Sequence, residues 1–464
     1  MTVKSNTSGH TYWQWIFSLI ASMGFLIYGL EAAWISPTTK KLQAADSPLG
    51  APVTNQEISL LASINSLSSA LVVPIFAILA DRFGRKWVVF SITIPAILSV
   101  VLRIMLPNII ALSIARAAAG MSASGAFAII PVYIRELSQN NLIGVLGSVS
   151  VLLQNLGFLI MYLIGAYFDY FTVLWIYLAF PLAMGVLMLK APESPSFLVK
   201  RGKIDEASRA VAFLRGLKTD DKEVKTEIEY MQNQQETFRN LPTVDLKAIF
   251  KDKAWRRGLI LMLSVFTIYA WNGAFTILTY ATAILESTGN NFGISPELQP
   301  LSFPIVMIIA SFAFTSIAEK FDRKPLLIGA YLISAIALAG LGIALLIQSY
   351  GYTIPGWLPI TCMMIVVALY AGGVRTLPFI ITTEMFNFQA RAKVMGCICT
   401  YAWLSVATQL FTYAAITDTF GIHTTFIFFG FLNVLGALIT CLIPETRGKI
   451  DEIIRDELAN GKKK

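Results

Sequence analysis

Histidine and cysteine are scarce in this chain. His10 and His423 are the only histidines among 464 residues, which argues against a histidine metal site. The four cysteines, Cys362, Cys397, Cys399 and Cys441, all fall inside long apolar runs and read as small packing residues. Cys397-x-Cys399 is not a metal-ligand spacing. Charge is scarce too: Asp, Glu, Lys and Arg make up 14% of the residues, against about a quarter in average soluble domains. No nucleophile–base pair, metal set or cofactor motif stands out. An enzyme is therefore the least supported class, and no cofactor is expected.

What fills the chain instead is apolar. Hydrophobic residues are 56% of the sequence, and a helix needs about 20 of them in a row to cross a bilayer. Twelve stretches qualify, at approximately 13–36, 59–80, 87–106, 109–134, 142–167, 171–190, 258–285, 300–318, 325–349, 356–386, 393–417 and 421–443. The expectation is an all-α membrane protein with twelve transmembrane helices. The first run is too long for a signal peptide and lacks a dense basic start, so it reads as a retained span.

The sparse charges are placed unevenly. Segment 191–257 holds fourteen Lys and Arg, whereas the loops of opposite parity hold only Lys40 and Lys41. The positive-inside rule then puts that segment and both termini in the cytosol, with the plasma membrane as the expected location. The net charge of +8 reads as a topology signal rather than a nucleic-acid footprint. The Asn6-Thr7-Ser8 sequon would stay unmodified on that side.

The spans divide six and six. The boundaries read as a first half 1–190, a linker 191–257, a second half 258–444 and a tail 445–464. Within the linker, Ile204-Asp205-Glu206-Ala207 opens a helical pattern. Ala210, Val211, Phe213 and Leu214 repeat on one face of it before Gly216, as in an amphipathic surface helix. Residues 220–236 read as a solvated helix face.

The halves also repeat in detail. DRFGRK (81–86) recurs as EKFDRK (319–324), 238 residues later. Glu136 returns as Glu384, and Pro192-Glu193-Ser194 returns as Pro444-Glu445-Thr446. Duplicated six-span halves are a signature of secondary transporters. The hexapeptides read as tight turns: Gly84 suits φ > 0, and Asp322 tolerates that region in the second copy. Asp81, Arg85, Glu136, Glu193, Glu319, Arg323, Glu384, Arg391 and Glu445 form the candidate cytosolic latch between the halves. Half-exposed pairs of about 0–1 kcal/mol each would bias a two-state carrier without locking it.

At these residues the chain resembles the sugar porter family of the major facilitator superfamily, over nearly its whole length. The resemblance is carried by Asp81-Arg82, Gly84-Arg85-Lys86, Arg116-x-x-x-Gly120, Gly125, Pro131, Tyr133, Glu136, PESPSFL, Gly202, Glu206-Ala207, Pro378, Phe379, Glu384, Phe386, Arg391 and the closing PETRGK. Trp34-Ile35-Ser36-Pro37 and the SPLG at 47–50 are similar to insect trehalose and glucose transporter-like members. The resemblance implies two six-helix pseudo-repeats, alternating access, and a sugar or polyol bound mid-membrane. The implied substrate-binding residues are Gln154, Asn272, Tyr280, Phe379 and Trp403. The departures are specific. The glutamine pair of the family's seventh span is replaced by Tyr269 to Phe275, with Asn272 as the one remaining amide. Arg375 stands where the family has a small residue, and it too is a substrate-site candidate.

Glu31, Arg116 and Arg375 lie within apolar runs, where ionisable groups are costly and usually functional. Glu31 aligns with the aspartate of proton-coupled pentose symporters, whose partner is the arginine represented here by Arg116. Glu31 and Arg116 are thus the candidates for coupling to protons, and a static Glu31–Arg116 or Glu31–Arg375 bridge is the alternative. The leading function is sugar transport, and the expected partners are a small-molecule sugar, the lipid bilayer and protons. Transport of an organic anion or another non-sugar solute, and sugar sensing without transport, remain the alternatives.

Overall fold

Proline and glycine decide where the long helices break. The computed structural model describes residues 9–240, 246–288, 297–318, 320–449 and 451–460, which are helical with short connections. The first span is α1 (Tyr12–Ala33) continued by α2 (Ile35–Gln43). It passes residue 36, where the apolar run ends, and Pro37, which has no N–H to give the Ala33 carbonyl, accounts for the break at Trp34. The second span is α3 (Asn55–Phe83), and the third is split into α4 (Arg85–Ser91) and α5 (Thr93–Met105). Then come α6 (Ile109–Leu137), α7 (Ile143–Tyr167) and α8 (Tyr170–Leu189).

The linker forms α9 (Pro195–Lys200), α10 (Ile204–Arg215), α11 (Lys222–Asn240) and α12 (Leu246–Lys251). Gly216 closes α10 with φ 64°, as a helix C-terminal glycine should. Leu198, Val199, Ala207, Val211, Ala212, Val224 and Ile228 make a small separate core under α9–α11. Phe213 departs from the expected face. It leaves that core and stacks on Trp13 of α1, with ring centroids 5.0 Å apart.

The seventh span departs from the sequence reading, which had one continuous helix. It is cut into α13 (Lys253–Trp271), α14 (Ala274–Thr279) and α15 (Ala281–Ser287). The eighth is α16 (Ser302–Ala318) and the ninth α17 (Arg323–Ser349). The tenth is also cut: α18 (Trp357–Leu369), a π turn over Tyr370–Val374, then α19 (Leu377–Met385). Gly372 and Gly373 let that turn approach Phe314, where an added methyl would sit 3.1 to 3.2 Å away. The last spans are α20 (Phe388–Phe420) and α21 (Ile422–Leu442), followed by α22 (Asp451–Asn460). Eleven of these spans are long and apolar enough to cross a membrane, and the shorter eighth completes twelve. Large apolar side chains such as Ile78, Ile110 and Ile336 stay exposed at 68 to 73%, as a lipid-facing surface requires.

The described residues group into two compact units. The first comprises 1–31, 71–157 and 171–242; the second comprises 32–70, 158–170 and 243–464. In the first unit, α1 and α7 touch backbone to backbone through Gly29 and Gly157, where a methyl would come 2.1 to 2.3 Å from a carbonyl oxygen. In the second, α22 is tied to the start of α13 by Arg455 and Asp252 at 2.5 Å, with Leu458 buried.

Candidate functional site

Three polar constellations stand out from the apolar background. The first is a charge node inside the first unit. Glu31 of α1 is 2% exposed and meets two guanidiniums, those of Arg116 on α6 and Arg103 on α5, the latter at 2.6 Å. The Tyr177 hydroxyl of α8 donates to the same carboxylate at 3.1 Å. Four helices therefore share one buried acid. Arg116 is where the sequence placed Glu31's partner, whereas Arg103 and Tyr177 are additions. Arg375 belongs to the second unit. Arg103 sits in the last turn of an apolar run, so it passes for a helix-end charge. Its position inside the expected 87–106 span was the one available clue.

The second constellation surrounds the interruptions of the seventh and tenth spans, within the second unit. Asn272 ends α13, and Gly273 follows at φ 92°. The Asn272 side-chain oxygen accepts the Ala274 N–H at 3.1 Å, and its backbone carbonyl accepts from Asn433 at 3.1 Å. Its Nδ2 is buried with no hydrogen-bond partner. One turn on, Thr276 meets Gln409 of α20, whose Oε1 is likewise buried and unmatched.

Aromatic rings line the same stretch. Tyr269 packs edge-on to Phe275 and Phe379 at 5.7 and 6.1 Å, and its hydroxyl reaches that of Tyr370 at 3.4 Å. The π turn is closed by the Arg375 N–H donating to the Tyr370 carbonyl, five residues back, at 2.9 Å. That step sets the Arg375 guanidinium 6.0 Å from the Tyr370 ring centre. Arg375 and Tyr269 are thereby both set against Tyr370, with Phe379 against Tyr269, and Asn272 follows Tyr269 by three residues on the same span. Tyr280 is placed elsewhere, stacked on Tyr413 at 4.5 Å with its hydroxyl 3.1 Å from Ser59. Trp403 lies half-buried on α20. Gln154 is buried on α7 in the first unit.

The third constellation is the duplicated charge set. Glu193 accepts the backbone N–H groups of Arg85 and Lys86 at 2.8 and 3.0 Å, capping α4 from outside. Glu445 does the same for Arg323 and Lys324 of α17, at 3.1 and 3.0 Å. Arg85 pairs with Glu136 at 3.0 Å, and Arg323 with Glu384 at 3.6 Å. Ser194 donates to Glu136 as Thr446 donates to Glu384. Asp81 holds Arg85 at 3.2 Å and Lys200 at 3.0 Å. Arg391 donates to the Phe386 carbonyl at 3.2 Å, closing α19. Glu319 lies outside the described residues. The contacts described here join each hexapeptide to the acid and hydroxyl that follow the last span on its own side of the repeat. Burial pushes the Glu193 carboxyl above its ordinary value, against the opposing pull of the Lys86, Ser194 and Arg85 N–H groups and the Arg85 charge. Gly84 has the expected positive φ of 100°, but Asp322 does not follow it. At φ −65° and ψ 148°, Asp322 takes ordinary N-cap geometry, so only the first copy needs glycine.

Residues 17–456 match the family model described as sugar (and other) transporter. The chain belongs to that family. It is 27% identical over 96% of its length to the facilitated trehalose transporter Tret1 of Aedes aegypti, and spans 55% of that protein. It thus covers little more than half the length of this relative. Against Tret1 of Culex quinquefasciatus it is 26% identical, covering 97% of this chain and 86% of the other. In fold it is similar to the xylose transporter XylE of E. coli in a partially occluded inward-open conformation. The TM-score is 0.77 at 20% identity, over 95% of this chain and all of that one. Its fold is also similar to that of the POT family transporter PepTSo, with a TM-score of 0.66 at 10% identity over 93% of this chain and 97% of that one. The twelve-helix arrangement is that of the major facilitator superfamily, and the protein is a multi-pass membrane protein.

Proposed function

We propose that this protein is a secondary carrier moving a sugar by alternating access, with trehalose, glucose or a related hexose or polyol as substrate. The observation that carries the reading is the interrupted seventh span. There Asn272 has a buried amide donor without a partner, and Gln409, bonded to Thr276, has a buried acceptor without one. Tyr269 and Phe275 of the same span pack on Tyr370 and Phe379. Aromatic faces with a few convergent polar groups are the chemistry that holds a sugar ring. Arg375 adds a fixed donor fork that replaces the lost amides of the family pattern. Gln154 would contribute from the first half, and Trp403 and Tyr280 would line the path. The family, the trehalose transporter relatives and the xylose transporter fold support this reading. It is transport without covalent chemistry.

The two six-helix halves, 1–190 and 258–444, would be the moving bodies, with 191–257 and the tail on the cytosolic side of the plasma membrane. Glu31 with Arg116 is the place where a proton would act on the cycle.

Uptake of labelled trehalose, glucose, xylose and a panel of organic acids into vesicles holding the purified protein tests the reading. Saturable sugar uptake is expected. Uptake confined to acids would replace it with anion transport, and sugar binding without flux with a sensor. An imposed pH gradient tests coupling: uptake unchanged by the gradient and by Glu31→Gln would remove Glu31 from that role.

A further inference from the structure

The lysine pair Lys40-Lys41 at the far end of the first span divides its contacts between the two halves of the sequence. Lys41 donates to the carbonyls of Gly165 and Phe168 at 2.8 and 2.5 Å, which ties α2 to the end of α7. Lys40 reaches the other way, to Glu286 on α15 at 3.1 Å and Glu297 at 3.0 Å. Beneath it, the Ser36 and Thr282 hydroxyls meet at 3.0 Å, and the Thr282 N–H donates to Ser36 at 3.1 Å. Both are buried, at 1% and 4% exposure. A cleft of about 310 Å³ opens alongside, lined by Ser36, Thr39, Lys40, Gln43, Thr282 and Glu286.

We propose that Lys40 is a charge clasp that sets how long this face of the carrier stays shut. The inference rests on the alternating-access reading, because admitting substrate here requires α2 to part from α15. The Lys40 side chain is 62% exposed, and the cleft brings water and salt to it. Such a pair is weak enough to open on each cycle and is screened by ions. One lysine shared by two carboxylates is held in place at a lower entropy cost than two separate pairs. The hydroxyl contact below supplies register, and the clasp supplies bias. Lys40 is a positioning residue: it acts on the equilibrium between states rather than on the sugar.

Labelling of the full chain in vesicles tests this. Ala281 is fully buried beside Thr282, so Ala281→Cys reports opening once Cys362, Cys397, Cys399 and Cys441 are replaced by alanine; Leu278→Cys is the second reporter. A membrane-impermeant maleimide is applied on this face. Lys40→Gln is expected to speed labelling roughly three- to tenfold. It should also abolish the acceleration that the chain with Lys40 intact shows between ~20 and ~500 mM NaCl. Lys40→Arg is expected to keep slow, salt-dependent labelling. Equal labelling with and without the Lys40→Gln substitution, salt-independent labelling of the chain that keeps Lys40, or labelling of Lys40→Arg as fast as that of Lys40→Gln would overturn the clasp. Labelling is read without sugar flux, so a chain that gates as described but moves no sugar would retire the transport reading alone.

Discussion

Glu193 caps Arg85 across 108 residues of chain, with the Arg85 N–H 2.8 Å from its carboxylate. Glu445 repeats the contact with Arg323 across 122 residues, at 3.1 Å. The duplicated hexapeptides are therefore turns whose open backbone donors are filled by acids that follow the sixth and the twelfth span. Helix amides left without an acceptor in a partly buried place cost free energy, so these acids hold the fold before they serve any switch.

Glu193→Ala should lower stability by about 1–2 kcal/mol, in line with the loss of a good N-terminal cap. Thermal unfolding in detergent, against Glu445→Ala as the matched control, measures it. The pH dependence has a defined sign. Burial holds the Glu193 carboxyl above its ordinary 4.5, so just above that value the folded chain binds more protons than the unfolded one. Stability from this group therefore falls as pH rises through the window. Glu193→Gln does not titrate, and its midpoint should rise relative to the native chain over the same range.

The buried node makes a second prediction. Glu31→Gln leaves the Arg103 and Arg116 guanidiniums close together without their acid, at a cost of about 3–5 kcal/mol. Adding Arg103→Leu should recover part of that loss, because it removes one of the two cations. A melting series of the single and double variants decides it. Purely additive losses would mean that the three residues do not act as one unit.

The break in the seventh span is expected to resist closure. Gly273 sits at φ 92°, and an added methyl would lie 3.2 to 3.3 Å from Leu338 and Phe429. Gly273→Ala should cost on the order of 1–3 kcal/mol. Asn272→Ala loses the cap on Ala274 and the buried donor together, so it should raise the uptake KM as well as lower the melting midpoint. A KM unchanged in Asn272→Ala would separate the amide from the substrate.

Arg375→Leu removes a charge-assisted donor worth about 1.5–3 kcal/mol where it meets a substrate oxygen, which is roughly 10- to 100-fold in affinity. Competition uptake across deoxy-sugars would find the hydroxyl concerned. A uniform small loss for every sugar would assign Arg375 to holding the π turn.

Much of this architecture was legible because bilayers demand contiguous apolar runs and because each repeated motif is short and contiguous in sequence. The twelve spans, the linker helix closed by Gly216, and the pairing of DRFGRK with EKFDRK all came from that kind of pattern. The interruptions after Trp271 and Leu369 did not, because hydropathy is blind to a dihedral angle and Gly273 looks like any helix glycine. Arg103 was hidden by its place in the final turn of a span. The destination of each charge was also out of reach. Glu193 could as well have met the other half, and a contact more than a hundred residues long leaves no periodic trace. Of the substrate candidates, the sequence singled out Asn272 and Arg375 individually, but only the π turn brings Arg375 against Tyr370.

The long reach of Glu193 also bears on how the protein is made. Arg85 and Lys86 leave the ribosome after the second span, yet their acceptor arrives only after the sixth. Until then the backbone donors of the turn must be satisfied by water or lipid head groups. Glu445 imposes the same wait on Arg323 and Lys324 at the other end of the chain. Each hexapeptide turn thus waits for an acid that is synthesised only just after the last span of its six.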